Sequence, residues 1–377
     1  MTTVKLQRVA HCLFALSFAA LPSFGETRDS KEKHLLYVAE PGIRNYEEFG
    51  GVGVLVFDID AGYKFVRRIP TWNVPAGEKP VNIKGIAASA RTGRLYVSNI
   101  NRIIALDLLS GRKIWDKAFE GGCDRLTISP DGRTLYVPQF EGPFWTVVNA
   151  ATGAVITRVE VKSASHNTTY SLDGSKVYLA GLKSPVLSIA DAKTHKIVGT
   201  VGPFAHSIRP FTVNGSDTLC FVNVNELLGF EIGDVRTGKK LHRVEVQGYK
   251  QGKVKRHGCP SHGVALTADE KEVWVVDGAN EFVHVFDATV MPPKQGVSIK
   301  LRESPGWVSF SLDGKYAYLS TGEIIDVGTK KIVAALTDET GRQVHSEKML
   351  DIIVANGKVI KTGNQFGVGM VRGPAGK

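Results

Sequence analysis

Residues 126–138 read Leu-Thr-Ile-Ser-Pro-Asp-Gly-Arg-Thr-Leu-Tyr-Val-Pro. An apolar run meets a Ser-Pro-Asp-Gly turn, and a second run follows, centred on an aromatic. Asp-Gly is a turn dipeptide of two-residue β-hairpins, and the alternating flanks suit half-buried strands. The phrase therefore reads as a hairpin, and it recurs. Tyr170-Ser171, Asp173-Gly174 and Val177-Tyr178-Leu179 repeat it, as do Phe310-Ser311, Asp313-Gly314 and Ala317-Tyr318-Leu319. Phe211-Thr212, Asn214-Gly215 and Leu219-Cys220-Phe221 read as a copy in which Asn-Gly takes the place of Asp-Gly.

The central residues of the second strands are Tyr37, Tyr96, Tyr136, Tyr178, Cys220, Trp274 and Tyr318, spaced by 59, 40, 42, 42, 54 and 44 residues. A period near that of a four-stranded blade, repeated seven times, predicts an all-β, seven-bladed β-propeller. No long stretch has the period of a helix, which disfavours an α/β fold. The first repeat starts at a second strand, Leu35–Ala39, and the C-terminus holds a spare strand, Leu350–Ala355. The ring is expected to close when that C-terminal inner strand joins the N-terminal blade, removing the free sheet edges.

The chain resembles the bacterial YVTN-type β-propeller repeat proteins at Leu95–Ser98, Leu135–Pro138 and the Ser129–Gly132 turn. The resemblance spans roughly 34–366 and implies a propeller akin to the cytochrome-d1 and amine-dehydrogenase types. It implies little about function. No Cys-x-x-Cys-His occurs, so no covalent c-type haem is expected.

The remaining chain divides simply. Residues 1–25 read as a signal peptide: Lys5 and Arg8 precede a short apolar run, and small residues precede Glu26. Residues 26–33 form a linker, 34–366 the propeller and 367–377 a C-terminal tail. A periplasmic or secreted protein is expected, with no membrane span, because no other stretch approaches the length of one. The 377 residues carry a formal charge of +10, which loss of Lys5 and Arg8 would lower to +8. With 43% hydrophobic residues the composition excludes disorder, and 40 glycines suit a turn-rich fold. Three cysteines would remain, Cys123, Cys220 and Cys259; whether Cys123 and Cys259 pair is left open.

Long connections at 40–51, 71–81 and 247–260 all map to the face where chains lead into inner strands. Insertions gathered on one face of a repeat protein mark a binding face. Aligning the repeats places Lys84, Asp124, His166, Ser207 and His262 at equivalent positions of these lead-ins. His206, Arg125, Arg209, Trp307 and the run His345-Ser346-Glu347 lie near the same level, and 250–257 adds a basic loop.

Two readings of this set stay open. In one, His166, His206, His262 and Glu347 hold a divalent metal (Zn, Mn, Cu or Fe), since imidazoles with a carboxylate suit these ions. In the other, polar side chains and water fill the channel. In both, Lys84, Asp124, Arg125, Arg209 and Trp307 are candidate ligand-binding residues, and a small molecule or acidic carbohydrate is the expected ligand. The function expected is ligand binding by an exported monomer. Metal-dependent β-elimination of uronates is the enzymatic alternative, with Arg209 on the carboxylate and a histidine as base. A protein-interaction scaffold is the third. No residue is assigned a catalytic role, and nothing suggests nucleic-acid binding. Motifs of serine hydrolases, zinc proteases and phosphate-binding loops are absent.

Overall fold

A computed structural model describes residues 1–2, 32–43, 46–253 and 259–372. The chain forms two units, Met1–Lys31 and Glu32–Lys377. Beyond its first two residues the former lies outside the described residues, and so does the signal reading of 1–25. The latter unit is a ring of seven antiparallel sheets.

The repeated phrase builds each blade. Its first apolar run is the inner strand, and its second run lies next outward. Inner strands are Met349–Ala355 in blade 1, then Ile83–Ser89, Thr127–Ile128, Ser165–Tyr170, Ile208–Val213, Val264–Leu266 and Val308–Phe310 in blades 2 to 7. The ring closes as expected: Met349–Ala355 pairs with Lys33–Glu40, so Tyr37 faces Leu350. A further strand, Lys358–Thr362, then pairs with the other edge of Met349–Ala355 through a tight turn at Asn356-Gly357. Both turn residues have positive φ (52° and 69°), as a two-residue hairpin of this hand requires.

The hairpins of the repeated phrase differ from the two-residue turns expected. Ser129 N donates to Thr134 O at 2.9 Å and Gly132 N to Ser129 O at 2.8 Å, so the loop is longer. Only Gly132, at φ 74°, occupies the left-handed region. Ser129 Oγ clips the turn, accepting from Thr134 N at 3.0 Å and donating to Asp131 Oδ1 at 2.6 Å. This corrects the alignment of blade 5. There Asn214 takes the place of the serine, accepting at Oδ1 from Thr218 N and Leu219 N at 2.9 and 2.8 Å. Asp217, with φ 55°, takes the place of the glycine. Asn and Asp tolerate such positions because their short polar side chains bond locally.

The seven central residues of the second strands are all buried, and four stitch one blade to the next. Tyr37 donates to Leu108 O at 2.9 Å, Tyr96 to Ala150 O at 3.1 Å and Tyr178 to Asp217 Oδ1 at 3.0 Å. Tyr136 Oη lies 2.6 Å from His195 Nδ1. Each ring fills the space between blades while its hydroxyl finds a partner beyond them. Cys123, Cys220 and Cys259 are buried thiols, and no disulfide joins Cys123 to Cys259. Among the described residues no helix is long and apolar enough to cross a membrane.

The axis is crossed by the chain itself. Gln365 Nε2 donates to Leu126 O at 2.9 Å, and its backbone oxygen accepts from Trp307 Nε1 at 2.5 Å. Gly367 O accepts from Thr212 Oγ1 and Leu266 N, both at 2.9 Å. Gly369 N donates to Val213 O and Met370 N to Ala268 O, each at 3.0 Å. Phe366 is buried beside Trp307, ring centroids 5.9 Å apart. Residues 365–370 thus bond blades 3, 5, 6 and 7 together across the centre.

Candidate functional site

Inner strands converge on the axis, so a side chain one residue before or within each lead-in faces its counterparts from other blades. The repeat thereby gathers residues far apart in sequence. Blades 2 and 3 approach closely here because Gly85 has no side chain; a Cβ there would stand 2.9 Å from Leu126 N and 3.0 Å from Arg125 Cα.

Two linked groups result. In the first, Lys84 Nζ lies 3.2 Å from Asp124 Oδ1, and His166 Nδ1 lies 2.6 Å from Asp124 Oδ2. In the second, Arg125 Nη2 donates to Glu347 Oε2 at 2.8 Å and Nη1 to Glu347 O at 3.2 Å. Lys348 Nζ donates to the same Oε2 at 2.9 Å and to Gly42 O at 2.6 Å. The Arg125 guanidinium lies 3.5 Å from the centroid of Trp307, a cation–π contact that joins the network to the axial segment beneath. Phe140 stands over Lys84, 5.1 Å from Nζ.

The network is nearly dry. Asp124, Arg125, Glu347 and Lys348 are each under 5% exposed, whereas the Lys84 side chain keeps 16%. Burial opposes ionisation of Asp124, but His166, Lys84 and Arg125 outweigh it and hold the carboxyl below its usual range. Burial lowers His166, only partly opposed by Asp124, so the imidazole is neutral near pH 7. Burial also drives Lys348 down to about 8, against the attraction of Glu347 and with the repulsion of Arg125 and Lys84.

The lead-in residues Lys84, Asp124, Arg125, His166, Trp307 and Glu347 are therefore brought together. His262 stands at the edge, with Nδ1 3.0 Å from Gly306 O and its ring 6.1 Å from Trp307. Arg209 and His206 are not joined to the network among the described residues. Arg209 donates to Asn225 Oδ1 at 2.6 Å, and His206 Nε2 faces Glu226 at 3.6 Å, both within blade 5. The expected metal set is likewise not assembled. Among the described residues no three His, Cys, Asp or Glu side chains stand close enough to hold a metal ion. His166 is engaged by Asp124, and Glu347 by two cations. Of the basic loop 250–257, residues 254–257 lie outside the described residues.

Two participants escaped the sequence reading. Lys348 follows Glu347, and counting by repeat alone selected the carboxylate while passing over its neighbour. Gln365 lies beyond the last repeat, where no periodicity points to it.

No family model matches the chain, and no curated protein matches its sequence. The likeness to YVTN-type proteins therefore rests on the quoted strands and turns. Among solved structures, the chain resembles in fold the Kuenenia stuttgartiensis protein described as hydrazine synthase. The two superpose with a TM-score of 0.56 at 14% identity, covering 78% of this chain and 90% of the other. At that identity the likeness shows a shared propeller fold and nothing of chemistry.

Proposed function

We propose that the chain is an exported propeller that binds a small carboxylate-bearing ligand, of acidic-saccharide type, at the axial mouth. One observation carries the reading: among the described residues three cations, Lys84, Arg125 and Lys348, are paired with two carboxylates, Asp124 and Glu347. In a nearly dry site an excess cation favours an anionic guest far more than it would in water. Lys84 is the outermost of the three and is the residue an incoming carboxylate would meet, with Phe140 as an apolar wall. The charge and small-residue pattern of 1–25 supports export.

Calorimetric titration with galacturonate and short oligogalacturonates tests this, with galactose as the neutral control. Saturable binding that weakens with salt is expected, and Lys84→Ala should cost about tenfold or more in affinity. Equal affinity for galactose, or none for any uronate, would overturn the reading.

A second reading is favoured by the Asp124–His166 pair. A carboxylate on Nδ1 leaves Nε2 as the basic nitrogen of a neutral imidazole, the arrangement of a general base. A uronate lyase would use it to remove the proton α to the carboxylate. Ultraviolet absorbance of an unsaturated uronate, absent in His166→Ala, distinguishes this from binding alone.

A further inference from the structure

The repeated hairpins form the end of the ring opposite the axial mouth, and there two hollows meet. One, of about 290 Å³, is walled by Ile128, Pro130, Leu172, Leu312, Val368 and Met370, so the axis-crossing segment supplies part of its apolar surface. The other, of about 560 Å³, lies between the turns of blades 3 and 4 and is lined by Asp131, Asp173 and Asp191 with Arg91 and Lys193. Arg91, Ser129, Pro130 and Tyr170 border both. The larger hollow is within the range of small-ligand sites, and the smaller extends it with an apolar floor.

Tyr170 marks the junction. The residue before the clipped turn is Ile128, Val213, Leu266 or Phe310 in blades 3, 5, 6 and 7, a plain apolar side chain that ends the inner strand's core face. Blade 4 places a phenol there. Tyr170 is only 7% exposed, its ring edge-on to Tyr136, and among the described residues its hydroxyl has no hydrogen-bond partner. Burial, with Tyr136 and Asp131, pushes the phenol up, so its oxygen is un-ionised and free to accept a hydrogen. Each carboxylate of the larger hollow is fixed by its own turn: Asp131 Oδ1 by Ser129 Oγ and Asp173 Oδ1 by Ser171 Oγ, both at 2.6 Å, and Asp191 Oδ1 by Thr194 Oγ1 at 2.7 Å. Burial opposes ionisation of Asp131 and Asp173, yet the turn hydrogen bonds hold both below the ordinary range; at Asp191 the Thr194 hydroxyl and amide do the same. Three preorganised carboxylates thus face two cations carried on long, exposed side chains, in a chain whose formal charge is +10.

We propose that the paired hollows bind a primary organic ammonium ion. Its apolar body lies against Leu172 and Leu312, and its N–H groups are donated to Tyr170 Oη and the Asp131 carboxylate, within the field of Asp173 and Asp191. The site is at the other end of the ring from Lys84 and does not depend on the carboxylate reading of the axial mouth.

Hexylammonium, 2-phenylethylammonium and cyclohexylammonium serve as probes, followed by saturation-transfer NMR and calorimetry on the full chain, with hexanol and hexanoate as controls of matched length. At least one amine is expected to bind saturably and to weaken with salt, and both controls should bind severalfold less tightly. Tyr170→Phe removes the oxygen alone and should weaken the amine severalfold. Asp131→Asn keeps an oxygen for the turn and removes the charge; it should do the same, and it gives the reading should Tyr170→Phe fail to fold. Asp269→Asn alters the matching turn of blade 6, outside the hollows, and should leave binding unchanged. Absence of saturable binding by all three amines means that water alone fills the hollows and overturns the proposal. So does hexanoate or hexanol binding as tightly as hexylammonium, or amine binding that survives both Tyr170→Phe and Asp131→Asn.

Discussion

Asp124 Oδ2 lies 2.6 Å from His166 Nδ1, a contact between residues 42 positions apart that two neighbouring blades bring to one axis. Asp124 also faces Lys84 at 3.2 Å, so one buried carboxylate serves a base on one side and a cation on the other. Its substitution by Asn keeps the shape and removes the charge. Lys84 then loses its counter-ion, and a loss of about 3–5 kcal/mol in urea unfolding is expected. Asp124 is the group that raises His166 against its burial. The His166 pKa should therefore fall further in the variant, read from the imidazole proton shift by NMR. An unchanged value would show that the pair is not formed in solution.

Lys348 supplies a pH signature. Its pKa drops from 10.5 unfolded to about 8 in the fold. Between those values the unfolded chain binds the proton and the native chain does not. Stability from this residue thus increases as pH rises through that window and is absent below about 8. Compared with Lys348→Met, the parent should gain stability from about pH 8 to 10.5 in parallel denaturant titrations. A constant difference across that range would refute the burial of the amine.

Gly85 is needed for closeness rather than for a special φ. Alanine there would press on the backbone of Leu126 and Arg125, neither of which can swing aside. Gly85→Ala should cost roughly 1–3 kcal/mol and loosen the Arg125–Glu347 pair. Thermal melts give the first effect, and the second appears as weaker binding of an acidic ligand at the mouth.

Truncation after Thr362 removes the segment that crosses the axis. Loss of Phe366 from its contact with Trp307 costs about 1.5–3 kcal/mol, and the lost Gln365 hydrogen bonds add to it. The melting temperature should fall and the Trp307 emission shift to the red. Retention of both would mean that the segment contributes nothing to closing the ring.

Much of this protein is legible in one dimension. Blade number and ring closure follow from the recurrence of Tyr37, Tyr96, Tyr136, Tyr178, Cys220, Trp274 and Tyr318. A repeat states its own period, and each unit buries the same face. The gathering of Lys84, Asp124, His166 and Glu347 near one end was legible for the same reason, since equivalent positions in a ring face a common axis.

The pairings were not legible, nor was the axial crossing. Which cation meets which carboxylate depends on differences of an ångström between blades, such as the approach that Gly85 permits. Alignment to within one residue cannot carry that, and so it chose Glu347 and passed over Lys348. Asn214 misled for a related reason: Asn-Gly has the composition of a turn centre, yet the clip made by its side chain places it two positions earlier, where the serine stands in other blades. Composition and period therefore determined the ring, because burial of a repeated apolar face has one solution. Only the folded ring decided that Arg125 lies on Trp307 and that Gln365 lies beneath it, because both are contacts between chain segments unrelated by any repeat.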